Sequence, residues 1–133
     1  MAEMSSAVRE MLAGPNYWQF GTINPDGRPQ INPMWVDIDG DDIIMNTAIG
    51  RMKEKNLRRD SRVTLALTEP GNPYNYVEIR GDVAEFIEGD EADASIDALA
   101  KKYIGEDKYP WRQDDERRVK LRIKPTYVYH LSR

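Results

Sequence analysis

The stretch 16-NYWQFGTINPDGRPQINPMWVDI-38 decides the fold. Residues 16 to 23 are crowded with aromatic and β-branched side chains, which suit a pleated, half-buried surface. Asn24-Pro25-Asp26-Gly27 follows as a strong turn signal, since Pro presets φ and Gly tolerates positive φ. From about 28 to 38 a second extended run places Met34, Val36 and Ile38 on one face. The reading is two antiparallel strands around a tight turn. A further turn, Asp39 to Asp42, leads to a third strand over 42 to 47, completing a meander.

The flanks agree with a strand-rich chain. Residues 5 to 13 read as a short amphipathic helix, capped by Ser5 or Ser6 and stopped by Gly14-Pro15. A short helix is expected over 51 to 59. Residues 62 to 68 alternate Val63, Leu65 and Leu67 inward, and 69 to 73 read as a loop. The run 74-YNYVEIRGDVAEFIE-88 is too long for a plain strand, and its pattern shifts at Gly81, so a bulge or bend is expected there. Ile96, Leu99, Ala100, Tyr103 and Ile104 sit at helical spacing behind a cap at Asp90. After a loop over 108 to 116, Val119, Leu121 and Ile123 alternate, and TYVYHL closes the chain. About seven short strands with two or three small helices predict a mainly β, α+β domain. Closure into a small barrel would protect the strand edges.

Composition narrows the chemistry. The 133 residues fit one domain, 1–133, and carry 19 basic against 23 acidic side chains, a net charge of −4. Extensive nucleic-acid binding is not expected of such a chain, because it needs many cations against phosphates. No apolar run approaches the roughly 18–20 residues of a membrane span. Met1–Leu12 does not read as a signal peptide, and a cytoplasmic protein is expected. There is no cysteine and one histidine, His130. No Ser-His or Cys-His triad and no His/Cys metal site can be assembled from these. His130 reads as a structural or surface group, and the Asp37-Asp39-Asp41-Asp42 run as a solvated hairpin turn. No carboxylate pair suggests acid–base work. Any hard chemistry then falls to a bound cofactor.

One local feature runs against the acidic whole. The stretch 47-TAIGRMKEKNLRRD-60 holds Arg51, Lys53, Lys55, Arg58 and Arg59 at a strand-to-helix junction. A helix N-terminus offers free N–H groups and positive potential to an anion. Arg51, Lys55 and Arg59 fall on one ridge, which a phosphate followed by carboxylates would suit. The competing reading is a solvated helix whose cations pair with Glu54 and Asp60. Tyr74 and Tyr76 alternate on the strand face opposite Val77 and Ile79, and suggest a partner surface.

The strings 21-GTINPDGRPQINPMW-35, 47-TAIGRMKEKNLRRDSRV-63 and 73-PYNYVEIRGDV-83, in this order and spacing, resemble the split β-barrel flavin and deazaflavin oxidoreductases. The similarity is greatest to the branch that uses coenzyme F420, often labelled PPOX class for its kinship to pyridoxamine 5′-phosphate oxidase, and it spans roughly residues 7 to 131. The resemblance implies a split barrel of six or seven antiparallel strands, of the FMN-binding type, forming a homodimer with two cofactor sites at the interface. It places Asn32, Pro33, Met34 and Trp35 along the tricyclic ring, and Thr47 and Ala48 beside the ring and ribityl chain. Arg51, Lys53 and Asn56 would hold the phosphate, with Arg59 toward the oligoglutamate tail of F420. Asn72, Tyr76 and Trp111 would come from the partner subunit. It assigns no catalytic acid and no metal. The expected function is hydride transfer from reduced F420 to a small conjugated electrophile. FMN chemistry on the same fold, and non-catalytic carriage of F420 or FMN, are the alternatives. The substrate-binding Arg and Trp pattern of vitamin B6 oxidases is not found, so that reaction is not expected.

Overall fold

The computed structural model describes residues 2–133. Helix α1 (Ser6–Ala13) leads into β1 (Trp18–Ile23), β2 (Pro29–Met34), β3 (Asp37–Asp39) and β4 (Asp42–Ala48). Then come α2 (Met52–Arg59), β5 (Arg62–Glu69), β6 (Asn72–Ile87), α3 (Asp90–Ile104) and β7 (Arg118–Ser132). All strand pairings are antiparallel, in the order β2-β1-β5-β6-β7-β4-β3.

That order forces closure. The edge strands β2 and β3 are neighbours in sequence, joined only by Trp35 and Val36. Three residue steps span at most about 11 Å. Seven strands laid flat would hold the two edges about 29 Å apart. The sheet therefore curls until its edges nearly meet, and the core fills its interior with Trp18, Phe20, Met45, Leu65, Ile79 and Leu121, all fully buried.

The sequence expected one strand over 28 to 38, and the structure breaks it at Trp35-Val36. Helix α3 supplies the reason. The Val36 N–H donates to Tyr103 Oη (3.0 Å), and the Val36 carbonyl accepts from Lys102 Nζ (2.6 Å). Side chains thus replace a neighbouring strand at the crossover. Conversely, the two terminal segments form one strand, β7. Pro125 is accommodated where the β6–β7 register shifts at Arg80/Gly81, a position that does not demand its missing N–H. The expected bulge near Gly81 is present, with a second shift at Val83/Glu85. A Cβ on Gly81 would lie 2.6 Å from the Lys124 carbonyl oxygen, so the close approach of β6 to β7 requires glycine. The loop expected over 69 to 73 shrinks to Pro70-Gly71, with Gly71 at φ 83°.

Strand β4 does not alternate: all seven of its residues are buried. One face looks into the barrel, and α3 covers the other, where Asn46 Nδ2 donates to the Ala92 carbonyl (2.8 Å). Helix α2 packs against β1 and β4. Among the described residues, no helix is long and apolar enough to cross a membrane.

Candidate functional site

Two grooves meet at Arg51. The first has a volume of about 330 Å³ and is lined by Asn32–Trp35 at the end of β2, by Asn46, Ile96 and Leu99, by Tyr17, Tyr109 and Trp111, and by Arg51 and Arg118. The second, about 460 Å³, runs along Ala48–Arg51 and the loop residues Gln113 and Asp115–Arg117. A third, shallower depression of about 190 Å³ lies over β1, β2 and β5, with Arg62 its one charged lining residue among the described ones.

Aromatic packing builds the first groove. Trp35 stacks on Tyr103 with centroids 5.4 Å apart and planes 11° from parallel. Tyr109 and Trp111 each stand 6.1 Å from Trp35, and 5.9 Å from one another. The stack is anchored below: Tyr103 Oη donates to the Asn16 carbonyl (2.6 Å) while accepting from Val36. Burial pushes the Tyr103 hydroxyl up to about 12, so it stays protonated and keeps donating. Lys102 donates to the Leu12 and Val36 carbonyls, and burial pushes its ammonium pKa down against the pull of Asp37.

Cations gather at the junction of the grooves. Arg51 is the N-cap of α2, and its extended backbone (φ −71°, ψ 158°) directs no side-chain hydrogen bond to the helix. Glu54 caps instead, accepting from the Gly50 N–H (2.9 Å) and from Arg58 (2.8 Å). Burial alone would raise the Glu54 carboxyl, but these bonds hold it below the usual range. Strand pairing sets Arg118 opposite Ala48. Its Nε donates to Asn46 Oδ1 (2.9 Å), its Nη1 pairs with Glu116 (3.2 Å), and its guanidinium lies 5.0 Å from the Tyr109 ring centre. Arg51 Nη2 stands 3.6 Å from the same Glu116 carboxylate.

Lys53 is the anomaly. It is 7% exposed, yet its ammonium makes no hydrogen bond or ion pair among the described residues. Burial pushes its pKa down, and the charges of Arg51 and Arg118 push the same way. It does not line either groove; it lies behind them, within electrostatic reach of both guanidinium groups. Thr47 Oγ1 is likewise buried without a partner. A buried hydroxyl without a partner, beside an ammonium without a counter-charge at a strand-to-helix junction, suits an oxyanion ligand.

The resemblance had placed thirteen residues in the site. Asn32, Pro33, Met34, Trp35, Arg51 and Trp111 line the first groove, and Ala48 and Arg51 the second. Thr47 and Lys53 are buried beside them. Asn56 is committed elsewhere: its amide donates to Thr22 Oγ1 (3.0 Å) and Asn24 Oδ1 (2.9 Å), tying α2 to β1 and its turn. Arg59 folds back onto the Ile23 carbonyl and Asn56. The continuous ridge from Arg51 to Arg59 is therefore interrupted. Trp111 lines the first groove of this chain. Asn72 bonds the Arg133 carbonyl (3.0 Å), and Tyr76 packs on Tyr129 (6.0 Å); neither lines a groove in this protomer. The aspartate run is not simply a solvated turn, because Arg9, Lys102, Arg122 and Lys124 pair with its members.

Sequence reasoning missed Arg118, Glu116 and Asn46. Asn46 did leave a signal, as a polar residue ending the apolar run Ile43-Ile44-Met45. Arg118 left none, since only the pairing of β7 with β4 brings it to Arg51.

The family model described as pyridoxamine 5′-phosphate oxidase matches residues 4–132. The chain belongs to this family. A solved structure named F420 reductase is 30% identical, with 95% of this chain and 98% of that one covered at a TM-score of 0.83. A conserved hypothetical protein from Mycobacterium tuberculosis is 25% identical over 97% of this chain and 85% of its own, with a TM-score of 0.74. General Stress Protein 26 from Bacillus anthracis shares the fold at 16% identity, covering 92% of this chain and 88% of that one, with a TM-score of 0.64. The split barrel of six or seven antiparallel strands that the resemblance implies is thus the fold of this family, here with seven strands.

Proposed function

We propose that this pyridoxamine 5′-phosphate oxidase family member is an oxidoreductase that binds coenzyme F420 and reduces a small conjugated electrophile. The observation that carries the reading is Lys53, a side chain only 7% exposed whose ammonium has no counter-charge among the described residues and feels the charges of Arg51 and Arg118 beside an aromatic groove. Buried charges are ordinarily paired, and a desolvated cation cluster in a cleft marks a site for an absent anion. The 30%-identical F420 reductase supports the deazaflavin over other cofactors of this plan.

When bound, reduced F420 supplies a hydride from C5 of its ring. The chain's own part is placement. Arg51, Lys53 and Arg118 would hold the phosphate, and Thr47 Oγ1 would donate to it or to the adjoining polyol. The backbone of Asn32–Trp35 and the Trp35 ring present a flat wall against which an aromatic system is oriented. Tyr109 and Trp111 exclude water from the open side, which favours transfer between rings over competing routes. No side chain is assigned as acid.

The reading includes a homodimer. The outward faces of β2, β1, β5, β6 and β7 form one surface carrying Ile31, Gly21, Ala66, Tyr76 and Tyr129, where Ile31 is 58% and Tyr129 43% exposed. A second copy on this surface would bring its own Asn72 and Tyr76 near the groove.

FMN is the second reading, favoured by the family's description. Titration with F420 and with FMN, followed by intrinsic fluorescence, separates the two. Trp35 and Trp111 lie in the groove and report directly. Micromolar F420 binding with weaker FMN binding supports the proposal, and the reverse moves the protein to flavin chemistry. Binding to neither overturns both.

A further inference from the structure

Glu116 is the carboxylate that pairs with both guanidinium groups of the cation cluster, and it is an odd group to find there. Its side chain is 8% exposed and lies between Arg118 Nη1 (3.2 Å) and Arg51 Nη2 (3.6 Å). A turn fixes it, with the Glu116 N–H donating to the Gln113 carbonyl (3.1 Å). It lines the second groove, so it stands where an anion entering along Ala48–Arg51 must pass. A site evolved simply for the greatest anion affinity would leave both guanidinium groups free. This one spends part of their capacity on an internal negative charge.

Such a charge discriminates by ligand valence. Near neutral pH a phosphomonoester carries about −1.5 to −2. A phosphodiester carries a single negative charge and offers two free oxygens. Repulsion from a fixed carboxylate grows in proportion to ligand charge, and between partly buried groups it is little screened by salt. Arg51, Lys53 and Arg118 against Glu116 leave two net positive charges. Glu116 thus cancels part of the attraction of the three cations, and cancels twice as much for a doubly charged monoester as for a singly charged diester. FMN is a monoester. The phosphate of F420 is a diester, linking the ribityl chain to its carboxylate tail.

We infer that Glu116 is a specificity-determining residue that shifts the anion site toward a phosphodiester-linked cofactor and away from one ending in a phosphomonoester. The inference rests on the phosphate reading above and goes beyond it, because it names the group that chooses between two cofactors sharing one ring-and-phosphate plan.

The test is the affinity of wild type, Glu116→Gln and Glu116→Ala for F420, FMN and riboflavin, by fluorescence titration at fixed salt. Glu116→Gln keeps the shape and removes the charge. The expected result is FMN binding tightened on the order of tenfold, F420 binding changed by less than about threefold, and riboflavin binding unmoved. Glu116→Ala should repeat the direction, which guards against an artefact of the new amide. If both variants weaken F420 and FMN alike, Glu116 merely positions Arg51 and Arg118, and the inference is overturned. An unchanged FMN-to-F420 ratio also overturns it, while the phosphate site stands. Wild type that binds neither phosphate ligand removes the site itself, a distinct outcome visible before any variant is made.

Discussion

Strand β7 carries two clusters of buried charge, four residues apart, and they are built on opposite plans. At Arg122 and Lys124 every cation meets an anion. Asp42, 8% exposed, accepts from Arg122 (2.9 Å) and Lys124 (2.8 Å), and Arg122 also reaches Asp39 (3.0 Å) and Glu85 (3.6 Å). At Arg118 two guanidinium groups share a single Glu116, and Lys53 close by has no counter-charge among the described residues. Both clusters are positioned by the same β4–β7 ladder, since Ile44 pairs with Arg122 and Ala48 with Arg118. The first uses the ladder to bring opposite charges together and ties β3, β4, β6 and β7 to one another. The second uses it to hold like charges together, which no folding requirement explains. On the proposed function, the difference separates a part that stabilises the barrel from a part that binds a ligand.

The largest effect that can break this comparison is at Lys53. Lys53→Met keeps the stem and removes the ammonium. Phosphate-ligand binding should weaken by about 1.5–3 kcal/mol, the range for hydrogen bonds to charged groups. The protein itself should be as stable as wild type or more so, because an unpaired buried charge is gone. Calorimetric titration and a urea melt on the same sample check both halves. A variant that binds normally would misplace the anion site. One that unfolds easily would make Lys53 structural. Arg51→Ala should weaken binding in the same direction and by less, since its side chain is 47% exposed.

Asp42→Asn is the mirror experiment. It leaves Arg122 and Lys124 short of a counter-charge in a half-buried setting, and should cost about 1.5–3 kcal/mol of stability with no change in ligand affinity. A loss of affinity would mean that the two ends of β7 are coupled and the comparison fails.

The clusters should also respond to pH with opposite sense. Burial would raise the Asp42 carboxyl, but the bonds from Lys124 and Arg122 hold it below its ordinary 3.8. Its contribution is complete above that value and is lost as pH falls through the lowered one. Lys53 is held below its ordinary 10.5. Its penalty is complete at neutral pH and is relieved as pH climbs through the lowered value toward 10.5. Urea midpoints across pH should therefore show wild type converging on Asp42→Asn in acid. In alkali, wild type should gain on Lys53→Met.

These contrasts bear on what could be read from the sequence. The barrel was legible because its signals are local: the Asn24–Gly27 turn, the Val63-Leu65-Leu67 alternation and the pattern shift at Gly81 each act within a few residues. The quoted motifs pointed to the family that matches residues 4–132, and Asn32–Trp35 among them do line a groove. The rest depends on partners distant in sequence. Val36 breaks a strand because Lys102 and Tyr103 reach it from α3, 66 and 67 positions away. Arg118 and Glu116 join Arg51 only through strand pairing. Asn56 looked like a phosphate ligand by position, and its commitment to Thr22 and Asn24 appears only when α2 is packed on β1.

The smallest expected effect concerns what remains of the basic ridge. Arg58 is paired with Glu54 and Glu88, and Arg59 is turned to the Ile23 carbonyl, so Lys55 is the exposed cation of α2 with no partner among the described residues. An oligoglutamate tail running along α2 would meet it in water, where an ion pair is worth about 0.2–1 kcal/mol. Lys55→Gln should thus weaken F420 by a few-fold at low salt, leave FMN unaffected, and lose its effect as ionic strength rises toward 1 M, where the screening length is about 3 Å. Equal binding of F420 by wild type and variant at low salt would mean that the tail leaves the protein by another route. The second groove along Ala48–Arg51 would then be the one to probe, and Arg117, exposed at its edge, the next cation to remove.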